Sequence, residues 1–194
     1  SETLSKILIS GDGGDELFGG YTFRYNKFLS LTSENSTPLE KAKMYLECHE
    51  RDRVPDQENI FNQKSNFSWN SIHQILLPYF DNKLSRLEQV YLADYNGKLL
   101  YNFNPVNSRI VNNFGMEMLA PILNDELLST APHMPTKYKY DESANIGKLP
   151  LRTILKQNGH DSLVTKQKLG FNVNTVNLWK SHGHNLCKEF LLDS

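Results

Sequence analysis

Three acids, Asp12, Asp15 and Glu16, stand among the glycines Gly11, Gly13 and Gly14, directly behind the short run Lys6-Ile7-Leu8-Ile9. Glycines let the chain turn sharply and bring backbone amides close to a ligand, and successive amides in such a turn form an anion nest. Carboxylates repel phosphate, so acids beside such amides suit another task, holding the Mg2+ that neutralises phosphate oxygens. Residues 10–21 therefore point to a polyphosphate and its metal. The same string could be a plain turn from strand to helix with Asp15 as the helix cap. It is not a Walker A loop, since no Gly-Lys-Ser/Thr follows, and its glycine spacing does not fit a dinucleotide fingerprint. Nor do the acids alternate as a calcium loop requires.

The elements around this loop must place it. Lys6–Ile9 reads as a buried strand, and apolar positions at helical spacing predict a helix over 17–31. Pro38, at a favourable first helical position, starts a helix that runs to about Glu50. Residues 51–68 read as a loop. Helices are expected over 71–80, 85–100, 110–118, 125–129, 150–158 and 176–192, with loops over 138–148. Phe23, Tyr25, Phe28, Tyr91 and Tyr95 fit packing positions better than a stacking platform for bases. The expected chain is mainly helical with one N-terminal strand.

Composition narrows the function classes. The 194 residues carry a net charge of -1, which supplies no basic field for nucleic acid. Glycines and prolines are scattered, and repeats, low-complexity tracts and segments of membrane-spanning character are absent from the sequence. Cys48 and Cys187 lie far apart, which argues against a disulfide framework and for a reducing, cytoplasmic setting. His182, His184 and Cys187 have ligand-type spacing but lack a fourth ligand, so a solvated helix start is the better reading.

Ser10-Gly11-Asp12-Gly13-Gly14-Asp15-Glu16-Leu17-Phe18-Gly19-Gly20-Tyr21 resembles the second signature of the asparagine synthase domain, the ATP-dependent half of glutamine-hydrolysing asparagine synthetases. Three further stretches follow in the family's order. Met116–Asn124 is similar to its Glu-x-Arg-x-Pro-Phe-Leu-Asp segment, with Glu117 and Pro121 kept. Lys148-Leu149-Pro150-Leu151-Arg152 matches a Lys-x-x-Leu-Arg helix start, and Lys166–Phe171 with Trp179 resembles the Arg-x-Lys-x-Gly-Phe...Trp ending. Charge is missing from one region: Leu119 replaces the family's Arg, Asn124 its closing Asp, and Ser108-Arg109-Ile110-Val111-Asn112 its Asp-Arg-x-Ser-Met lead-in. That change puts aspartate as substrate in question more than the use of ATP. Lys166, where the family often has Arg, keeps the charge but gives up bidentate phosphate binding.

The resemblance implies a Rossmann-like α/β nucleotide-binding fold, of which residues 1–194 would be the C-terminal part. The family's upstream Ser-Gly-Gly-x-Asp-Ser pyrophosphate loop has no counterpart in the sequence, and no glutaminase domain is present, so the chain alone is expected to be inactive. By resemblance Ser10, Gly11, Asp12, Gly13 and Gly14 line the ATP and pyrophosphate site, with Asp12 where members vary with their acceptor. Asp15 holds Mg2+ together with an acid outside this sequence, and Glu16 is a further candidate ligand. Lys168 matches the lysine that stabilises charge on the phosphates during adenylation. The implied reaction is adenylation of aspartate or an analogue and attack by ammonia, derived from glutamine by a partner domain or subunit, to give asparagine and AMP. Relatives of the β-lactam synthetase and lasso-peptide cyclase type use the same adenylation for ring closure, and a degenerate, non-catalytic partner-binding domain is the third reading. A homodimer is left open.

Overall fold

The computed structural model describes residues 6–49, 66–164 and 175–191. They form two compact units, 1–154 and 155–194. In the first, β1 (Ile7–Ile9) runs into α1 (Gly14–Phe18), followed by α2 (Thr22–Leu31), α3 (Pro38–Glu47) and α4 (Trp69–Phe80). α5 (Arg86–Ala93) passes through a π-helical stretch, Asp94–Phe103, into α6 (Asn104–Asn113). Then come β2 (Glu117–Leu119), a 3-10 turn at Pro121–Leu123, α7 (Asp125–Thr130), the short strands β3 (Tyr140–Asp141) and β4 (Ile146–Gly147), and α8 (Leu149–Gln157). The second unit holds α9 (Asp161–Val164), α10 (Thr175–Leu178), a π-helical turn at Trp179–Gly183 and α11 (His184–Leu191).

Local chemistry explains the boundaries. Thr37 and Ser85 open α3 and α5 through reciprocal capping boxes with Glu40 and Glu88, which satisfy amides that a helix start leaves unpaired. The helix expected over 17–31 is instead two helices. Gly19 takes φ 70°, which a β-carbon disfavours, and the Gly20 amide closes α1 on the Asp15 carbonyl at 2.8 Å. The helix expected over 110–118 is also corrected: it ends at Asn113, Gly115 turns at φ 65°, and Glu117–Leu119 leaves as a strand because β1 offers it a partner. Among the described residues, four short strands thus replace the single one expected.

β1 and β2 pair in parallel, with Ile7 opposite Glu117 and Ile9 opposite Leu119. The expectation of a buried β1 does not hold among the described residues, where Ile7, Leu8 and Ile9 are 49%, 44% and 73% exposed. A strand with one partner and no covering layer cannot bury both faces. The core lies in the helices, where Tyr25 and Phe28 of α2 meet Tyr45, Phe80, Val90 and Tyr91. Tyr25 stacks edge-to-face on Tyr91 and Tyr140, with centroids 5.1 and 5.3 Å away, a favoured aromatic geometry. Phe23, by contrast, is exposed, because it falls off the face defined by Arg24, Tyr25 and Phe28.

A polar knot crosses this core. Asp94 is fully buried and accepts from Tyr45 Oη at 2.8 Å, while Arg24 lies 3.4 Å away and His49 Nε2 3.9 Å away. Burial, opposed by Arg24, holds the Asp94 carboxyl up at about 6. Arg24 also lies 3.7 Å over the Tyr21 ring, whose hydroxyl donates to Glu16 at 2.5 Å. This chain of contacts anchors the segment after β1 to the helical layer.

Candidate active site

The glycine-acid loop sits where the parallel strands end. The Ser10 amide donates to the Leu119 carbonyl at 2.8 Å, extending the β1–β2 ladder by one step into the loop. The carboxyl ends of parallel strands are where open α/β sheets hold ligands. Gly13 caps α1 at φ 86°, and a β-carbon there would overlap Leu123 Cδ2. One on Gly14 would stand 3.3 Å from Ile122 Cδ1. The loop therefore lies directly on the Pro121–Leu123 turn, so the first two motifs, remote in sequence, touch in space.

The third motif meets them. Lys148 adopts φ 58°, a left-handed conformation uncommon outside glycine, and its amide donates to the Phe18 carbonyl at 2.8 Å. Its Nζ lies 2.9 Å from Asp15 Oδ1, with the two side chains 32% and 25% exposed. Leu151, one turn into α8, packs with Leu17, Phe18, Ile122 and Leu123. Gly147 fits against the Gly19 carbonyl so closely that a β-carbon would overlap it. Gly20 is equally confined, since a β-carbon there would overlap Asp15 Oδ1 and stand 2.5 Å from Lys148 Cε. The ion pair thus occupies the space that the missing side chain leaves.

The other expected site residues divide. Ser10 Oγ accepts from the Asp12 amide at 3.2 Å, and Asp12 Oδ2 accepts from Asn107 Nδ2 at 2.8 Å, so Asp12, like Asp15, is held by a named partner. Gly11 is exposed. Glu16 is 3% exposed and takes the Tyr21 hydroxyl, whose phenol is driven far above its usual range by burial and by that carboxylate. Among the described residues no cluster of three or more His, Cys, Asp or Glu could hold a metal ion by itself. Lys168, with Lys166, Gly170 and Phe171, lies outside the described residues.

Neither Lys148 nor Asn107 is among the site residues expected from the sequence. The signal for Lys148 was its place at the head of the Lys-x-x-Leu-Arg motif; Asn107 has none, since its contact spans 95 residues and depends on α6 passing the loop. The changed positions also acquire structural meaning. Asn124 caps α7, accepting from the Leu127 amide at 2.9 Å and donating to the Pro121 carbonyl at 2.8 Å. Asn and Asp cap helices about equally well, so this loss of charge leaves the fold unaffected. Leu119 is half exposed at the end of β2, beside Ile9.

Among the described residues no helix is long and apolar enough to cross a membrane. No curated protein and no solved structure matches the chain. Its match is to a family, asparagine synthase, over residues 1–194. That span takes in the glycine-acid loop, the Pro121 turn and the Lys148 helix start that meet in space, and the chain belongs to the asparagine synthase family, whose members form amide bonds using ATP.

Proposed function

We propose that the chain supplies part of an adenylating active site on a Rossmann-like α/β domain, in which a carboxylate attacks the α-phosphorus of ATP, pyrophosphate leaves, and ammonia displaces AMP to form an amide. With aspartate as the carboxylate the product is asparagine. The observation that carries this reading is the Asp15–Lys148 pair at 2.9 Å, placed where three separated motifs converge. A carboxylate and an ammonium side by side, both reaching solvent, match a ligand that brings both metal and phosphate oxygens.

Mg2+ is normally held by one or two carboxylates with phosphates and waters completing its shell, so the partly exposed Asp15 carboxylate suits it. Asp15 would hold the ion with an acid from elsewhere in the protein, and the bound ion would neutralise phosphate charge. The chain's own residues do the rest. Lys148 fixes the Asp15 rotamer and, once a ligand arrives, donates to a phosphate oxygen. Ser10, Gly11 and the backbone of Gly13 and Gly14, which the Pro121–Leu123 turn supports from behind, line the nucleotide and pyrophosphate path. Asp12, aligned by Asn107, faces the acceptor side and orients the incoming amine. Lys168 meets the charge that builds up as pyrophosphate departs.

The amine source is a glutaminase domain or subunit in the cytoplasm. Ring-closing relatives share every step up to the adenylate, and the altered Ser108, Leu119 and Asn124 favour a carboxylate other than aspartate if asparagine is not formed. Oxygen transfer tests the reaction class. When the full-length protein turns over an 18O-labelled carboxylate, one label is expected in the AMP phosphate. Label in inorganic phosphate instead would mean an acyl-phosphate route and would end the adenylation reading. Failure of every carboxylate to consume ATP would favour the non-catalytic alternative.

A further inference from the structure

A cavity of about 250 Å³ opens on the helical side of α1, and its lining includes neither Asp15 nor Lys148. Leu84, Leu92 and Met134 give it apolar walls, Glu88 and His133 also line it, and two further ionisable side chains, Lys139 and Glu16, stand in the walls at 2% and 3% exposure. They do not pair with each other. Among the described residues the Lys139 ammonium makes no ion pair or hydrogen bond; the Tyr91 ring lies 5.3 Å from it, and Glu88, whose carboxylate is engaged by the Ser85 amide and hydroxyl at 2.9 and 2.7 Å, acts only at a distance. The Lys139 backbone cannot retreat, because its amide donates to Thr136 and its carbonyl accepts from Leu149. Glu16 uses one carboxylate oxygen for Tyr21 and makes no other hydrogen bond among the described residues.

Side chains buried except where they meet a cavity leave the Lys139 ammonium and one Glu16 oxygen only partly hydrated, and a ligand that supplies the missing partners is favoured there. Burial pushes the Lys139 ammonium down to about 8. One ligand can serve both. We propose that this cavity binds an α-amino acid with an apolar side chain, its carboxylate seated on Lys139, its ammonium toward Glu16 and its side chain among Leu84, Leu92 and Met134. The opposite charges of the lining exclude a simple anion or a simple amine as an equal fit: with Glu16 and Glu88 present a dianion is repelled, and with Lys139 present a lone amine leaves the ammonium unmet. The volume lies just below the roughly 300–1,000 Å³ of drug-sized pockets, which suits a ligand of about this size.

The test needs neither ATP nor Mg2+, so its failure and failure of the adenylation reading are separate events. L-leucine is titrated into the full-length protein by calorimetry, beside 4-methylpentanoate, which lacks the ammonium, and isoamylamine, which lacks the carboxylate. Charge-assisted hydrogen bonds predict that each one-charge analogue binds about tenfold or more weaker than L-leucine. Lys139→Met, which removes a buried charge and retains the chain's bulk, is expected to weaken L-leucine by the same factor and leave isoamylamine within about twofold. Absence of saturable L-leucine binding, equal affinity for the one-charge analogues, or unchanged L-leucine affinity in a folded Lys139→Met protein would each overturn the proposal.

Discussion

Gly20→Ala isolates the geometry of the Asp15–Lys148 pair from the fold. The new β-carbon would overlap Asp15 Oδ1, 2.6 Å from its Cγ and 2.5 Å from Lys148 Cε. Ordinary carbon contacts are roughly 3.5–4.0 Å, so both side chains must withdraw by about 1 Å. These are the ends of flexible side chains, not backbone, and Gly20 does not have a positive φ, so the chain path survives. The stability cost is a partly exposed ion pair, at most about 1 kcal/mol, and an off-rotamer side chain of similar size, offset in part by the entropy gained from replacing glycine. A net change near 1 kcal/mol is expected by chemical denaturation. Activity should suffer more, since a misplacement of about 1 Å in a catalytic group costs on the order of 100-fold, or about 2.7 kcal/mol of barrier. Carboxylate-dependent AMP formation by the full-length protein reads this directly. Gly97→Ala, where a β-carbon meets nothing within 4 Å, serves as the control. If Gly20→Ala kept wild-type turnover while remaining folded, the placement of Asp15 would not matter to the reaction, and the site assignment would fail.

Asp94 gives a pH signature. Its carboxyl is higher in the folded protein, at about 6, than its ordinary 3.8, so the folded state binds more protons and stability falls as pH rises from about 4 to about 6, by on the order of 3 kcal/mol. Denaturation of wild type and Asp94→Asn across that range should differ in slope; parallel curves would place the titration elsewhere. Lys148→Gly relieves the left-handed backbone but removes the cation, so it is expected to unfold no more easily than Lys148→Met while both lose turnover alike. Greater stability of Lys148→Met over Lys148→Gly would show that the φ of 58° carries no strain. Asn124→Asp should leave the melting point within experimental scatter, whereas Asn124→Ala should cost about 1 kcal/mol through loss of the cap on α7. Thr37→Ala, which breaks the reciprocal cap of α3, should cost a similar amount by thermal denaturation.

Part of the local structure around the glycine-acid loop was legible because its signals are local. Gly13 and Gly19 carry positive φ values that only their residue type makes easy, and Thr37-Pro38 and Ser85 announce helix starts by their chemistry. What could not be read were facts that depend on contacts far apart in the chain. Glu117–Leu119 alternates no more clearly than a helix end would, and becomes a strand only because β1 lies beside it. Leu17 continues the helical spacing of α2, yet Gly19 and Gly20 interrupt it to admit Gly147 and Asp15. Glu16 resembles its neighbour Asp15 in charge, but helical geometry turns it to Tyr21 and the core. The expected burial of β1 failed for the complementary reason: an apolar run states what a strand can bury, not what lies over it.

Carboxylate-dependent exchange between pyrophosphate and ATP, measured on the full-length protein with Asp15→Asn beside wild type, tests the central claim most directly. Wild type is expected to exchange with at least one carboxylate, and Asp15→Asn to lose roughly 100-fold or more, the scale of removing one preorganised electrostatic contact. Exchange with no carboxylate at all, or full exchange by a folded Asp15→Asn protein, would contradict the assignment of an adenylating site to the glycine-acid loop.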